Sequence, residues 1–283
     1  MNASLLSTTR LSRSFGGLMA LSELNLEVGR NSILGLIGPN GSGKTTFFNV
    51  VTGIYAATSG QVSFEGRDLT SQSPQTVYRA GISRTFQRSR LWLPLSIFDN
   101  IIMGDHKHLA SGVLFNLFCR RRLKAQLEQC LERARELVAI FDPNLADRLF
   151  EPVANLPMIA RRRIEICRAL ISSPKLLLLD EPSAGMTREE TFSLVDDILE
   201  IKQRVDDLTI IIIEHEMSVI ERITDRCVVL NFGQKICEGT YQEVTADPQV
   251  QQAYLGVDAP AGAPAPAATC RWKGTGPGSA PST

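Results

Sequence analysis

Lys44 and Thr45 stand near the end of the run Gly38-Pro39-Asn40-Gly41-Ser42-Gly43-Lys44-Thr45-Thr46, which fits the phosphate-binding pattern G-x-x-x-x-G-K-[ST]. A lysine at that place reaches the β- and γ-phosphates of a nucleotide, and the threonine hydroxyl is a ligand for Mg²⁺. The glycines let backbone N–H groups curl inward as a nest for anionic oxygens. A helix opening behind the loop adds the positive end of its dipole. Local context agrees, because residues 33–37 read as a short buried strand and residues 46–51 as the start of a helix. A glycine-rich turn that merely ends in Lys-Thr would need neither flank.

Three further places carry chemistry at the ends of apolar runs. Lys175-Leu176-Leu177-Leu178-Leu179-Asp180-Glu181 is continuously apolar before two carboxylates, as expected of a central parallel strand. Residues 208–215 repeat the design and end on His215, while residues 82–87 end on the amide of Gln87. In parallel α/β sheets ligands sit at the carboxyl ends of the strands, which would gather these groups around the phosphate loop. With a nucleotide and Mg²⁺ there, Asp180 would hold the metal through water as the acidic partner of Thr45. Glu181, one residue on, would accept a proton from the attacking water. His215 would hold the γ-phosphate, and Gln87 would sense the γ-phosphate and the metal. Each of these residues alone is equally compatible with a structural role. Phe15, beside Gly16 and Gly17, is either an exposed ring for stacking on a nucleobase or a core residue.

The elements that must position these groups are legible in outline. Residues 5–37 read as an antiparallel β layer leading into the loop strand. Residues 60–66 follow as a strand and turn, then a helix ending near Gly81. Leu123, Leu127, Leu131, Ala134 and Val138 recur at helical spacing. Residues 113–118 form an apolar patch, which either packs within a helical subdomain or docks a membrane partner. Residues 227–239 read as a hairpin turning at Gly233, followed by one last helix to about Gly256. Five of the chain's 14 prolines fall between Asp258 and Thr283, a composition that cannot bury enough apolar surface to order itself.

Composition narrows the classes. Lys+Arg and Asp+Glu are both 30, so no basic field drives non-specific binding to nucleic acid, and none is expected as a partner. The runs 120–122 and 161–163 of arginine read as solvated helix faces or partner contacts. The six cysteines show no metal spacing and, with no signal peptide, read as reduced thiols of a cytosolic protein. No stretch approaches 18 apolar residues, so any membrane span would come from other chains.

Taken together, these motifs resemble the ATP-binding subunits of ABC transporters, over residues 5 to 257. The resemblance is carried by Phe15-Gly16-Gly17-Leu18-Met19-Ala20-Leu21, the Gly38–Thr46 loop, Arg84-Thr85-Phe86-Gln87, Asp180-Glu181-Pro182-Ser183-Ala184-Gly185-Met186, and Ile213-Glu214-His215-Glu216-Met217. Arg-Thr-Phe-Gln, Ala-Gly-Met and the closing Ala253-Tyr254-Leu255-Gly256 are similar to the branched-chain amino acid importer subgroup. The resemblance implies an α/β fold, a P-loop NTPase (RecA-like) core with an antiparallel β subdomain and a helical subdomain near 88–170. It makes Phe15 the adenine-stacking ring and Gln87 the coupling point to membrane permease subunits. Residues 183–187 would cross to a second ATPase subunit, two subunits closing head to tail on two ATP molecules. A solute-binding protein would act indirectly, and the chain would sit on the inner face of the membrane. The implied activity is ATP hydrolysis driving uptake of amino acids or related small solutes. A non-transport ABC ATPase, or a subunit of weak hydrolysis, is the alternative.

One motif departs from the family. Where Leu-Ser-Gly-Gly-Gln is expected, the chain has Leu156-Pro157-Met158-Ile159-Ala160. In the family the serine hydroxyl and glycine N–H grip the γ-phosphate held by the opposite subunit. Pro157 has neither donor, and Ile159 places a β-branched side chain where backbone should approach closely. Either a partner subunit carries an intact motif, or backbone N–H groups alone do the work. A heterodimer is favoured, since a homodimer would carry the defect twice.

Overall fold

The runs at 33–37, 176–180 and 209–213 lack polar alternation, so both faces of each need cover. In the computed structural model, which describes residues 4–87, 89–105 and 120–255, they are inner strands of a six-stranded sheet. Its order is β10 (Gln234–Gly239), β9 (Arg226–Asn231), β3 (Ile33–Ile37), β8 (Thr209–Ile213), β7 (Leu176–Asp180), β6 (Ile82–Arg84). β9, β3, β8, β7 and β6 run parallel, and β10 returns antiparallel at one edge. Every residue of β3, β7 and β8 is buried.

A second, antiparallel sheet holds β2 (Leu18–Val28), β1 (Leu6–Phe15), β4 (Ser59–Phe64) and the short β5 (Arg67–Asp68). β1 and β2 turn at Gly16-Gly17, with Phe15 opposite Leu18. Side chains alternate across the parallel strands, so each face has its own core. Leu34, Leu36, Leu178, Ile211 and Leu230 pack toward the antiparallel layer and Phe47 and Phe48 of α1 (Lys44–Val51). Ile37, Leu177, Leu179, Ile210 and Ile212 pack toward the helices on the far side.

α2 (Pro74–Ala80) joins the first of these cores through Val77, while the far-side helices include α3 (Ile97–Ile102), α4 (Arg120–Phe141), α5 (Pro143–Ala146), α6 (Met158–Leu170), α7 (Arg188–Arg204), α8 (Met217–Ile223), α9 (Tyr241–Ala246) and α10 (Pro248–Leu255). Capping boxes open three of them, Ser96 with Asp99, Thr187 with Glu190 and Thr240 with Glu243. No helix among the described residues is long and apolar enough to cross a membrane.

Several expectations change in detail. The stripe on α4 is buried at Cys130, Ala134, Val138 and Phe141, whereas Leu127 is exposed, because the first half of the helix runs beyond the core. The expected last helix is two helices, since Pro248 cannot continue α9 and instead opens α10. Gln87 lies three residues past the end of β6. Arg161–Arg163 is not a solvated face. Arg161 donates to the Ala154 carbonyl at 2.7 Å, Arg162 pairs with buried Glu165 at 2.6 Å, and Arg163 pairs with Asp197 on α7 at 2.8 Å. Residues 113–118 and the chain beyond 255 lie outside the described residues.

Candidate functional site

The chain leaves β3 and enters α1 through the phosphate loop, and two glycines there have no substitute. Gly38 has φ 146°, and a Cβ on it would come 2.1 Å from the Leu230 carbonyl oxygen. Gly43 caps α1 at φ 105°, and a Cβ there would lie 2.6 Å from the Ala20 carbonyl oxygen. The loop is thus clamped between the β9–β10 hairpin and β2. The helical ladder of α1 begins with the Phe47 N–H donating to Gly43 at 2.8 Å. The N–H groups of Lys44, Thr45 and Thr46 are therefore left at the open end. The Lys44 ammonium bends back onto the Gly38 and Pro39 carbonyls at 2.7 and 2.9 Å. Burial pulls its pKa below the ordinary lysine value, while the nearby Glu181 and Asp180 carboxylates oppose that shift.

Asn40 through Thr46 line one cavity of about 380 Å³, together with Glu181, His215, Phe15, Leu18, Met19, Ala20 and Phe232. Glu181 stands at its rim with φ 48°, a strained backbone of the kind that concentrates at functional sites. His215 Nε2 lies 2.7 Å from one of its carboxylate oxygens, and Gln87 Nε2 donates to the other at 2.6 Å. His215 and Gln87, from the segments after β8 and β6, thus meet on the carboxylate that follows β7. Leu156–Ala160 do not line this cavity. They form the entry to α6, with Pro157 at the cap rather than in the first turn, Met158 half exposed, Ile159 half-buried and Ala160 buried.

Asp180 is buried and tied elsewhere as well. Its Oδ2 accepts from the Arg84 guanidinium at 2.5 Å, and Arg84 also donates to Asn49 of α1 at 2.7 Å. The guanidinium lies 5.3 Å from the Phe48 ring and 5.1 Å from the Phe86 ring. Phe15 is partly exposed rather than a core residue, with its ring edge-on to Tyr55 at 5.2 Å and Arg13 over its face at 4.5 Å. Tyr254 of α10 reaches the loop too. Although the residue is 41% exposed overall, burial pushes its phenol up to about 12, opposed by a hydrogen bond from the Gly38 N–H.

Sequence reasoning missed three participants. Arg84 was visible only as the first residue of the Arg84–Gln87 run, with no role of its own. Glu214, one place beyond β8, accepts from the Ser183 N–H at 2.9 Å and so ties the loop after Glu181 to the His215 turn. Burial pushes its carboxyl up, against those backbone hydrogen bonds. Phe232, ahead of the hairpin glycine, carried no local signal at all.

Comparison with known proteins gives two family matches. Residues 21–184 match the family described as ABC transporter. Residues 234–260 match the family described as branched-chain amino acid ATP-binding cassette transporter. The chain is 35% identical over 256 residues to the high-affinity branched-chain amino acid transport ATP-binding protein LivG of Salmonella typhimurium, covering 90% of this chain and 99% of that one. It is 33% identical to BraF of Pseudomonas aeruginosa, which has the same description, at the same coverage. Among solved structures, the ADP conformation of an ATP-binding cassette of an ABC transporter superposes with TM-score 0.77 at 30% identity, over 90% of this chain and 99% of that one.

Proposed function

The chain belongs to the ATP-binding cassette proteins of ABC transporters, and from that premise we propose that it energises solute uptake through separate permease subunits, with branched-chain amino acids or related small polar solutes as cargo. As a member of that family it is an ATPase. The match over residues 234–260 and the printed roles of its relatives support the cargo class. The observation that carries the catalytic assignment is the Glu181 carboxylate, held between His215 and Gln87 at the rim of the phosphate-loop cavity.

In this reading Lys44 and the open N–H groups of α1 grip the phosphates, and Phe15 meets the base. Thr45, Asp180 and Gln87 offer a hydroxyl, a carboxylate and an amide, hard oxygen donors that suit Mg²⁺. When bound there, the ion would offset charge developing on the transferred phosphoryl group. Glu181 takes the proton of the attacking water, and His215 keeps water and carboxylate in register. Each Glu181 oxygen keeps a second lone pair beside the contact it makes, so the carboxylate is held in place and can still accept a proton, with Gln87 as one of its two anchors. The Gln87 loop is gripped by α6: Arg162 donates to the Phe86 and Gln87 carbonyls at 3.3 and 3.4 Å, and Glu165 accepts from the Arg90 N–H at 3.0 Å. A shift of α6 therefore moves Gln87.

Beside that loop lies a groove onto which Ile54, Trp92 and Met103 are exposed, an apolar surface suited to a permease segment. Residues 1–257 act as one nucleotide-binding unit on the inner face of the membrane, with residues of about 88–170 as its helical part. A solute-binding protein supplies cargo from the other side. A second ATPase subunit with an intact signature motif completes the phosphate site, giving a heterodimer. In the complex assembled with its permeases, Glu181→Gln is expected to keep ATP binding while turnover falls about a hundred- to ten-thousandfold and uptake stops. Undiminished turnover would sink the assignment.

A further inference from the structure

Phe232 is the most exposed large apolar side chain among the described residues, at 80%. Its backbone has φ 45°, a left-handed conformation that a bulky residue adopts only against strain. Of the described non-glycine residues with positive φ it is the sole aromatic one. An exposed ring in a strained turn gains nothing from the fold itself, so its value lies in what it meets.

The turn that carries it is pinned to the nucleotide cavity. The Gly233 N–H donates to the Ser42 carbonyl of the phosphate loop at 2.9 Å, and the Gly233 carbonyl accepts from the Ser22 N–H of β2 at 2.9 Å. A Cβ on Gly233 would lie 2.7 Å from the Ala20 carbonyl oxygen, so the hairpin has no room to slide. Phe232 is thereby held at a set distance from the residues that receive the phosphates. The cavity it lines is polar at one end, with Lys44, Glu181 and His215, and apolar at the other, with Phe15, Leu18 and Met19. Phe15 offers only one open ring face, since Arg13 covers the other at 4.5 Å.

We propose that Phe232 is the second wall of the base subsite, packing its ring against the nucleobase of ATP opposite the Phe15 side of the cavity. The proposal rests on the assignment of this cavity to ATP. Aromatic contact with a base face is favourable for any base and needs no hydrogen-bonding edge, in keeping with the apolar side chains at this end.

The test compares two probes on the full chain, ATP and inorganic tripolyphosphate, the second having phosphates but no base. Phe232→Asn relieves the strain, because asparagine tolerates the left-handed region. Its melting temperature is expected to equal or exceed that of the parent. Its Kd for ATP is expected to rise about tenfold, with that for tripolyphosphate unchanged. Phe232→Tyr keeps the ring and should bind ATP as the parent does. Unchanged ATP affinity in Phe232→Asn, or equal losses for both probes, would overturn the role of Phe232. Failure of the parent chain to bind ATP would instead overturn the assignment of the cavity.

Discussion

The two helix N-termini proposed to face phosphate differ in almost everything except their backbone. At α1 the ladder starts from Gly43 and at α6 from Pro157, the Arg161 N–H donating to it at 3.1 Å. Each therefore leaves the N–H groups of its first three residues open, with a similar dipole behind them. Around α1 those donors sit beside Gly38 and Gly43, both clamped too tightly for any Cβ, with an ammonium and hydroxyls added. Around α6 the added side chains are those of Pro157, Met158, Ile159 and Ala160, which donate nothing. The contrast teaches that a degenerate motif need not mean a lost site. What α6 lacks is side-chain donors and clearance, while its N–H groups remain.

The sharpest way to test that contrast is to give α6 what α1 has. Replacing residues 157–160 by Ser, Gly, Gly and Gln should raise the turnover of the chain paired with itself about a hundredfold, since each lost donor at a developing charge costs on that order. Paired with a second subunit whose own motif is intact, the gain should shrink to about twofold, because only one of two sites changes. Steady-state ATPase assays on both assemblies decide, and no gain in either would mean that the open N–H groups of α6 suffice.

On the α1 side, Arg84→Met should cost about 3–5 kcal/mol in denaturant unfolding, because Asp180 would be left buried without its cation. Arg84→Lys should recover part of that, and the Mg²⁺ concentration needed for half-maximal turnover should shift in the Met variant. An unfolding midpoint equal to the parent's would show that the pair is dispensable. The smallest effect is expected at the far edge of the loop. Tyr254→Phe removes the acceptor for the Gly38 N–H and should cost about 1 kcal/mol, read as a lower melting temperature.

The chemistry at the core of the site was legible because it is local. A phosphate loop needs consecutive residues, and a buried parallel strand announces itself by an unbroken apolar run. Glu181, His215 and Gln87 were each found by their place at a strand end, although nothing local said that they would share one carboxylate. The arginines at 161–163 misled for the same reason. Their spacing on a helix says which residues are charged, whereas Ala154, Glu165 and Asp197, which absorb those charges, come from packing.

By itself the sequence determined the order of elements, the phosphate loop and the departure at residues 157–160, all of which depend on neighbours along the chain. Only the tertiary structure decided the partners. Gln87 meets Glu181 across 94 residues, and Arg84 meets Asp180 across 96. Phe232 reaches the cavity because a distant hairpin docks on Ser42. Such contacts are set by strand order in the sheet, because parallel strands bring together carboxyl ends that the chain keeps far apart.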